Sequence, residues 1–374
     1  MTPLSRPSDF KFQISNFKFQ IGGCWRRTML AALVVALTGS NAFSTDQLTR
    51  KSDRVTFRGE FTEMTATAVT VKISNGQTET VPVSDIFTVR FDQEPPTLAQ
   101  AQSNERSGQL DLAMQKYDEI RKEYSGDDKR LATDLTFLIA RTQVKSALAD
   151  PAKVEAASSA IQAFRTANQS NFRYLEATLL EAQLLATDSA KADQARTLLQ
   201  EVESAPVKGF QLQANVQLGR LLLNANDAAS ALAAFEKVVQ QSAGDAGSSA
   251  ALFDGLLGKA MCQQKQGQFD EAVTTLDQVI GQAGESATQT LAEAWVLKGD
   301  CYRTQNKPRD ALYAYLHVDV LYASEPAAHA ESLYRLASLW APAGHQDRAD
   351  DAIQRLTERY PNSTWARLPV NAAP

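Results

Sequence analysis

The sequence predicts a mainly α-helical protein in which an α-solenoid of about seven helix pairs follows a small all-β module. Two patterns lead to this prediction. A small side chain recurs about every forty residues through most of the chain, and a shorter stretch before it alternates apolar and polar residues with a period of two. The predicted boundaries are 1–42 for a leader with its core at 29–42, 46–93 for the β module, 97–361 for the solenoid and 362–374 for a C-terminal tail.

The leader has the order of a secretory signal. Arg26 and Arg27 precede the apolar run Met29–Leu37, and small residues ending at Ala42 follow. We predict cleavage after Ala42 and export to the periplasm or the cell envelope, with retention as an uncleaved signal anchor as the alternative. The run is shorter than the ~20 apolar residues of a stable span. No membrane span is therefore expected after cleavage.

Charge and cysteine content restrict the classes of function. The formal charge of the 374 residues is −5, and excluding the first 42 residues, which hold five basic side chains and one acidic one, makes it −9. A nucleic-acid partner is not expected, because such a surface needs a basic field. Cys262 and Cys301 fall at equivalent places in neighbouring repeats, which favours small core residues. A disulfide between them is the alternative, and it requires Cα atoms within about 7 Å.

The β module is predicted from four alternating segments, which are Val55–Phe61, Ala68–Ile73, Thr78–Val83 and Ile86–Phe91. Asn75-Gly76 between the second and third segments predicts a hairpin with a type I′ turn, which needs positive φ at both central residues. The order of these segments resembles that of Sm-like or SH3-like small barrels. No stripe of aromatic and basic residues on one face supports nucleic-acid binding, so we predict a docking or capping module.

The repeats are clearest around Trp295, Gly299, Tyr302, Ala311 and Tyr315. Their offsets from the tryptophan are 4, 7, 16 and 20 residues. This segment resembles the tetratricopeptide repeat (TPR) family, whose unit is a helix–turn–helix pair. On that resemblance Gly299 lets two helix backbones approach, Ala311 lies at the tightest contact of the second helix, and Tyr315 packs onto the next pair.

The same small-residue position recurs along the chain, at Ala113, Ala157, Ala195, Ala231, Ala272, Ala311 and Ala349. The spacing varies from 36 to 44 residues, whereas a TPR unit has about 34, so longer helices or turns are expected here. A plain helical bundle is the alternative to an array. A bundle gives no reason for a small residue to recur once in every two helices with a large apolar residue four positions later.

The TPR resemblance also implies where a partner would bind. Stacked pairs leave a trough lined by the first helix of each pair. The predicted trough residues are Val216, Arg220, Asp254, Leu257, Met261, Glu293, Val296, Asp300, Arg303, Glu331 and Tyr334. This mixture of apolar and charged positions suits a peptide or helix laid in a groove. The Lys/Asn/Arg clamp with which some TPR proteins hold a C-terminal carboxylate is missing from these positions.

No constellation of residues indicates catalysis, a metal or a cofactor. His317, His329 and His345 have no HExxH motif or cysteine partner, and no GxSxG or phosphate-binding glycine loop is present. We therefore predict a non-catalytic protein–protein interaction scaffold of the bacterial cell envelope, whose partners are other proteins or peptides. Residues 359–363 resemble the repeat endings of envelope TPR proteins. The alternatives are a self-associating structural component of the envelope and a regulatory or substrate-presenting subunit of an envelope enzyme or assembly complex.

Overall fold

An antiparallel sheet and fourteen α-helices make up the part of the chain that the structure describes, which is residues 45–92, 94–125 and 127–369 of a computed structural model. The predicted leader, 1–42, lies outside the described residues, as do the last five residues of the predicted tail. Within the described ranges, no helix combines the length and the apolar character that crossing a membrane would need.

The predicted β module is present as one five-stranded antiparallel sheet. Its strands are β1 (Asp46–Arg50), β2 (Thr56–Met64), β3 (Ala68–Ile73), β4 (Thr78–Pro82) and β5 (Ile86–Arg90). Their order in the sheet is β4-β3-β2-β1-β5, so that β4 and β5 form its edges. Pro82 ends the edge strand β4, where its missing N–H costs little. Alternate side chains such as Val69 and Val71 are completely buried on one face, because successive side chains of a strand point to opposite faces.

The β3–β4 hairpin forms where Asn75-Gly76 predicts it, but the prediction of a type I′ turn is wrong. Of the two turn residues only Gly76 has positive φ, at 87°. The N–H of Gly76 donates to the carbonyl of Ile73, and the N–H of Ile73 donates to the carbonyl of Gln77. This is the longer hairpin loop in which a left-handed glycine follows an ordinary turn. Asn75 serves a different purpose, since its side-chain oxygen accepts from the N–H of Gln77 at 2.9 Å.

The helices pair in sequence to give seven helix pairs, as predicted. They are α1 (Pro96–Arg106), α2 (Leu110–Glu123), α3 (Lys129–Ala147), α4 (Val154–Ala167), α5 (Tyr174–Leu185), α6 (Ala192–Ser204), α7 (Lys208–Asn224), α8 (Ala228–Ser242), α9 (Ser249–Lys265), α10 (Phe269–Gln282), α11 (Thr288–Thr304), α12 (Pro308–Leu321), α13 (Pro326–Trp340) and α14 (Gln346–Arg359). The odd-numbered helices are the first helices of their pairs. Each first helix from α3 onward also contacts the next first helix. The first helices therefore lie side by side and form a continuous surface, which we call the inner face.

One left-handed residue makes the tight turn inside five of the seven pairs. These residues are Gly108, Asn226, Gly267, Asn306 and Gly344, with φ between 56° and 81°. Glycine and asparagine are the residues that adopt this conformation at least cost. The other two pairs use a longer connection, in which an aspartate caps a 3₁₀ turn before the second helix. This difference contributes to the uneven spacing of the repeats.

The seven recurring alanines are all buried. Ala113, Ala157, Ala195, Ala231, Ala272, Ala311 and Ala349 are each at most 1% exposed. The role predicted for Gly299 needs correction, because this glycine and Gly219 make room for an aromatic ring and not for a neighbouring backbone. A Cβ on Gly219 would lie 2.6 Å from the ring of Phe235, and one on Gly299 would lie 2.5 Å from the ring of Tyr315.

The β module is attached to the starts of two first helices. Asp46 on β1 forms an ion pair with Arg130 at the beginning of α3, with 2.7 Å between Oδ2 and Nη1. Ser84 lies in the 3₁₀ turn between β4 and β5, close to Gly209 on α7. A Cβ added to Gly209 would lie 2.6 Å from the Cβ of Ser84. The apolar core of the module is continuous with that of the first helix pairs. The module is thus packed onto the array.

The burial of the alanines gives a stability prediction with an internal control. Ala231 and Ala233 lie two residues apart on α8, but Ala231 is completely buried and Ala233 is exposed. We expect Ala231→Arg to lower the free energy of unfolding by about 3–5 kcal/mol, because a long charged side chain is forced into a packed helix contact. Ala233→Arg should change it by less than about 0.5 kcal/mol. Urea denaturation of both variants checks this, and equal losses would contradict the helix register described above.

Candidate functional site

All eleven predicted trough residues lie on four consecutive first helices, α7, α9, α11 and α13. The apolar ones among them are mostly not open to a ligand. Val216 is 6% exposed, and Leu257, Val296 and Tyr334 are each 5% exposed. The side chains of Val216, Leu257 and Val296 belong to buried clusters that include residues of the next first helix. Tyr334, on the last first helix, is covered by Trp365. Among the predicted apolar positions, only Met261 is substantially exposed, at 38%.

The charged trough residues form ion pairs that join neighbouring first helices. Arg220 on α7 reaches Asp254 on α9 at 3.2 Å. Asp300 on α11 lies 3.2 Å from Arg335 on α13, and Arg335 also lies 3.2 Å from Glu331. A buried tyrosine completes this group, since the hydroxyl of Tyr315 donates to Asp300 at 2.7 Å. Much of the predicted charge on the inner face is therefore engaged within the protein.

Four of the eleven predicted residues come together in one cavity of about 890 Å³. They are Met261, Glu293, Val296 and Glu331, from three successive first helices. The remaining wall comes from Gln289 and Leu297 on α11, from residues 325–328 and Ala330 at the start of α13, and from residues 359–365 at the end of α14 and after it. Val216, Arg220, Asp254, Leu257, Asp300, Arg303 and Tyr334 lie outside the cavity lining.

The far wall belongs to the C-terminal segment, residues 360–369, part of which the sequence predicts to be a tail. This segment folds back onto α13. The ring of Trp365 contacts that of Tyr334 with 5.3 Å between centroids, and the guanidinium of Arg335 lies 4.9 Å from the centre of the Trp365 ring. The hydroxyl of Tyr334 donates to the carbonyl of Pro369 at 3.3 Å. The inner face at the last pair is therefore covered by the C-terminal segment, which closes one side of the cavity.

A buried histidine holds the beginning of the C-terminal segment. His329 is completely buried, with Nδ1 2.7 Å from the hydroxyl of Tyr360 and Nε2 2.8 Å from Asp319. Asp319 also pairs with Arg355 at 2.8 Å. The other two histidines contact tryptophans. The ring of His317 stacks on that of Trp295, and the rings of His345 and Trp340 meet edge to face. All three histidines thus have structural contacts.

Comparison with known proteins identifies repeats of a known family in this array. Two models of the tetratricopeptide repeat match the sequence, one over residues 222–295 and the other over residues 331–363. The solved structure of a tetratricopeptide repeat protein from Parabacteroides merdae is similar over 72% of this chain and 94% of its own, with 14% identity and a TM-score of 0.52. Residues 222–295 and 331–363 of the array therefore match tetratricopeptide repeats.

More distant similarity extends to other solved structures. The type IV pilus biogenesis factor PilW is 16% identical, with 61% of this chain and 97% of its own covered and a TM-score of 0.45. A Rap protein complexed with competence and sporulation factor is 11% identical, with 70% and 75% covered and a TM-score of 0.47. None of the curated proteins compared with the sequence matches it. At these identities the similarity concerns the fold alone.

The cavity of this TPR array carries more negative than positive charge. Glu293, Glu325 and Glu331 line it, against one cationic lining residue, Arg359. Glu331 is mostly buried, and burial raises the pKa of its carboxyl group to about 7, helped by the negative charge of Asp300 and opposed by nearby arginines. The cavity lining therefore carries a net negative charge when Glu331 is ionised.

The raised pKa of Glu331 makes stability depend on pH in a defined direction. Because an unfolded glutamate has a pKa of about 4.3, the folded protein binds more protons than the unfolded chain between about pH 4.3 and 7. Its stability contribution therefore falls as the pH rises through this window. We expect Glu331→Gln to remove this slope and to raise the urea midpoint at pH 8 more than at pH 5. Carboxyl NMR that gave the pKa of Glu331 as 4.3 would contradict the prediction.

Nothing among the described residues forms a metal-binding cluster of three or more histidine, cysteine or acidic side chains. Cys262 and Cys301 are free thiols and are at most 1% exposed, so the disulfide alternative is wrong. Burial raises the pKa of each thiol to about 11. Thiols that stay protonated and buried are poor nucleophiles. Both cysteines act as the small core residues that the sequence predicts.

Proposed function

We propose that this TPR protein is a non-catalytic interaction scaffold that binds a peptide or helix of a partner protein in the cavity between α11, α13 and the C-terminal segment. The observation that carries the proposal is the cavity itself. Three successive first helices line it, its volume falls within the ~300–1,000 Å³ of typical ligand pockets, and its wall combines apolar surface with a few charged groups. Grooves that recognise peptides have this mixture, with apolar anchors and flanking polar contacts.

Site-specific photocrosslinking tests the proposal. A photoreactive amino acid at Met261 would lie in the cavity wall, while the same group at Leu112, which is 50% exposed on α2, would lie outside it. In cells that make the protein, we expect discrete adducts from position 261 that are absent from position 112. Identical adducts from both positions, or none from position 261, would refute binding in the cavity. Met261 is suitable because it is accessible, whereas a change at Leu257 would disturb the core.

We further propose that the protein is exported and acts in the periplasm or the envelope. The support is the order of the leader, with arginines, then a short apolar run, then small residues ending at Ala42. Mass spectrometry of the protein from a periplasmic fraction should find Phe43 as its first residue. Recovery only from the cytoplasm, or a mature protein that keeps Arg26 and Arg27, would contradict cleaved export.

A second candidate function, self-association, is favoured by one surface of α12. Tyr313, Val320 and Leu321 are 63%, 71% and 61% exposed. Tyr313 and Val320, seven residues apart, lie on one side of the helix, and Leu321 is its last residue. Large exposed apolar side chains on one face mark interaction sites. The three positions carry no charge, so two copies of this surface can meet without repulsion. Sedimentation equilibrium should show a dimer that Val320→Lys dissociates, and a wild-type protein that stays monomeric at high concentration would rule this function out.

A further inference from the structure

The charged side chains that line the cavity are mostly acidic, which favours a cationic partner. Glu293 accepts a hydrogen bond from Gln289 at 3.0 Å and takes part in none of the ion pairs among the described residues. Glu325 accepts from the hydroxyl of Thr288 at 2.5 Å and likewise has no ion-pair partner in that part of the chain. Both carboxylates line the cavity while lacking a cation of their own.

Glu331 adds a third carboxylate, which has Asp300 as a second acid close to its arginine partner. Its partner Arg335 lies equally close to Asp300, at 3.2 Å in both cases, and Arg303 lies 3.7 Å from Asp300. Burial and the negative charge of Asp300 raise the pKa of the Glu331 carboxyl group to about 7, although Arg335 and Arg303 lower it. A further positive charge near Glu331 would favour its ionised form.

Apolar surface lies beside these carboxylates. Val296, Pro326, Ala327 and Trp365 line the same cavity. The long aliphatic stem of a lysine or arginine packs well on such surface while its charged end stays at the polar edge. An indole ring also attracts a cation over its face. Arg359, the single cationic lining residue, sits with its guanidinium 5.6 Å from the centre of the adjacent Tyr360 ring.

We propose that the cavity binds a peptide segment in which a lysine or arginine stands next to an apolar residue, with the cationic end directed to Glu293 and Glu331. The apolar neighbour packs against Pro326 and Trp365, which are more exposed than Val296. This inference rests on the proposed function and gives it a chemistry. An acidic peptide would set its own charge against three carboxylates, which is unfavourable.

Peptide selection on the full-length mature chain tests the inference. A displayed library of random seven-residue peptides is selected against the wild-type protein, and the enriched peptides are synthesised for fluorescence polarisation. Two variants of equal charge change are compared. Glu293→Gln/Glu331→Gln alters the cavity, while Glu271→Gln/Glu285→Gln alters two exposed residues outside it.

The expected result is enrichment of peptides with a lysine or arginine beside an apolar residue. Their Kd should rise about tenfold or more in the cavity variant and stay unchanged in the control variant. If the enriched peptides are neutral or acidic and lose binding on Met261→Glu, the inference fails and the proposed function stands. If no peptide is enriched, or if no cavity substitution changes the Kd of the enriched peptides, both the inference and the proposed function fail.

Discussion

Gly258→Ala is expected to lower the free energy of unfolding by about 3 kcal/mol, although alanine is the better helix former. The ring of Phe235 on α8 lies between Gly219 on α7 and Gly258 on α9 and is completely buried. A Cβ on Gly258 would overlap the atoms of that ring. Since the ring also touches Gly219, it has no free side to move toward. Overpacking therefore exceeds the gain in helix propensity.

Gly281 on α10 provides the matched control. A Cβ there meets nothing within 4 Å, and its φ is not in the left-handed region. Gly281→Ala should therefore stabilise the fold by up to about 1 kcal/mol. Adding Phe235→Leu to Gly258→Ala should recover part of the loss, because the smaller side chain vacates the overlapping volume. Urea denaturation measures all three, and similar stabilities for Gly258→Ala and Gly281→Ala would contradict the packing described here.

The fold could be predicted because its determinants are local and repeat. A small residue recurs in the sequence wherever two helices lie in close contact, and the seven alanines at these positions are all buried. The turn residues were equally informative, since a left-handed backbone favours glycine and asparagine. The prediction of a type I′ turn was wrong because an Asn-Gly pair permits two loop geometries. Which one forms depends on the pairing of the flanking strands, with Lys72 opposite Thr78.

The candidate site could be predicted only in part. Helical spacing identifies which residues face inward, so all eleven trough positions lie on first helices. It does not tell how closely successive first helices approach, and for this reason buried Val216 and Leu257 could not be told from exposed Met261. The cavity also depends on Trp365, whose return onto Tyr334 leaves no periodic signal. Contacts between segments distant in sequence were not accessible to that reasoning.

A buried charge network in the first three pairs is the largest feature that the sequence did not indicate. The carboxylate of Glu105 on α1 is completely buried. It accepts hydrogen bonds from Arg141 at 2.7 and 2.8 Å, from Lys145 at 2.8 Å and from the hydroxyl of Tyr117 at 2.9 Å. Arg141 continues to Glu176 on α5 at 3.2 Å. The network therefore joins three successive first helices through groups up to 71 residues apart in the sequence.

Removing one partner from this network should be costly, and the cost should depend on pH. Burial alone would raise the pKa of Glu105, but the hydrogen bonds and charges of Arg141 and Lys145 outweigh it and lower the pKa to about 2. The ionised carboxylate therefore stabilises the fold above the unfolded value of about 4.3, and this contribution is lost as the pH falls toward 2. We expect Arg141→Met to cost about 3–5 kcal/mol at pH 7, because a buried carboxylate keeps only Lys145 as its cation.

At pH 4.5 the cost of Arg141→Met should be smaller, since Glu105 without its arginine becomes protonated more easily and a neutral acid is cheaper to bury. Arg141→Met/Glu105→Gln should recover part of the stability at pH 7 for the same reason. Arg121→Met is the control, because Arg121 is 61% exposed in a surface pair with Asp118, and it should change stability by less than about 0.5 kcal/mol. Urea denaturation at both pH values decides the matter. A loss for Arg141→Met that is independent of pH would mean that the arginine acts through packing against Phe137, 5.4 Å from its guanidinium, and not through the charge of Glu105.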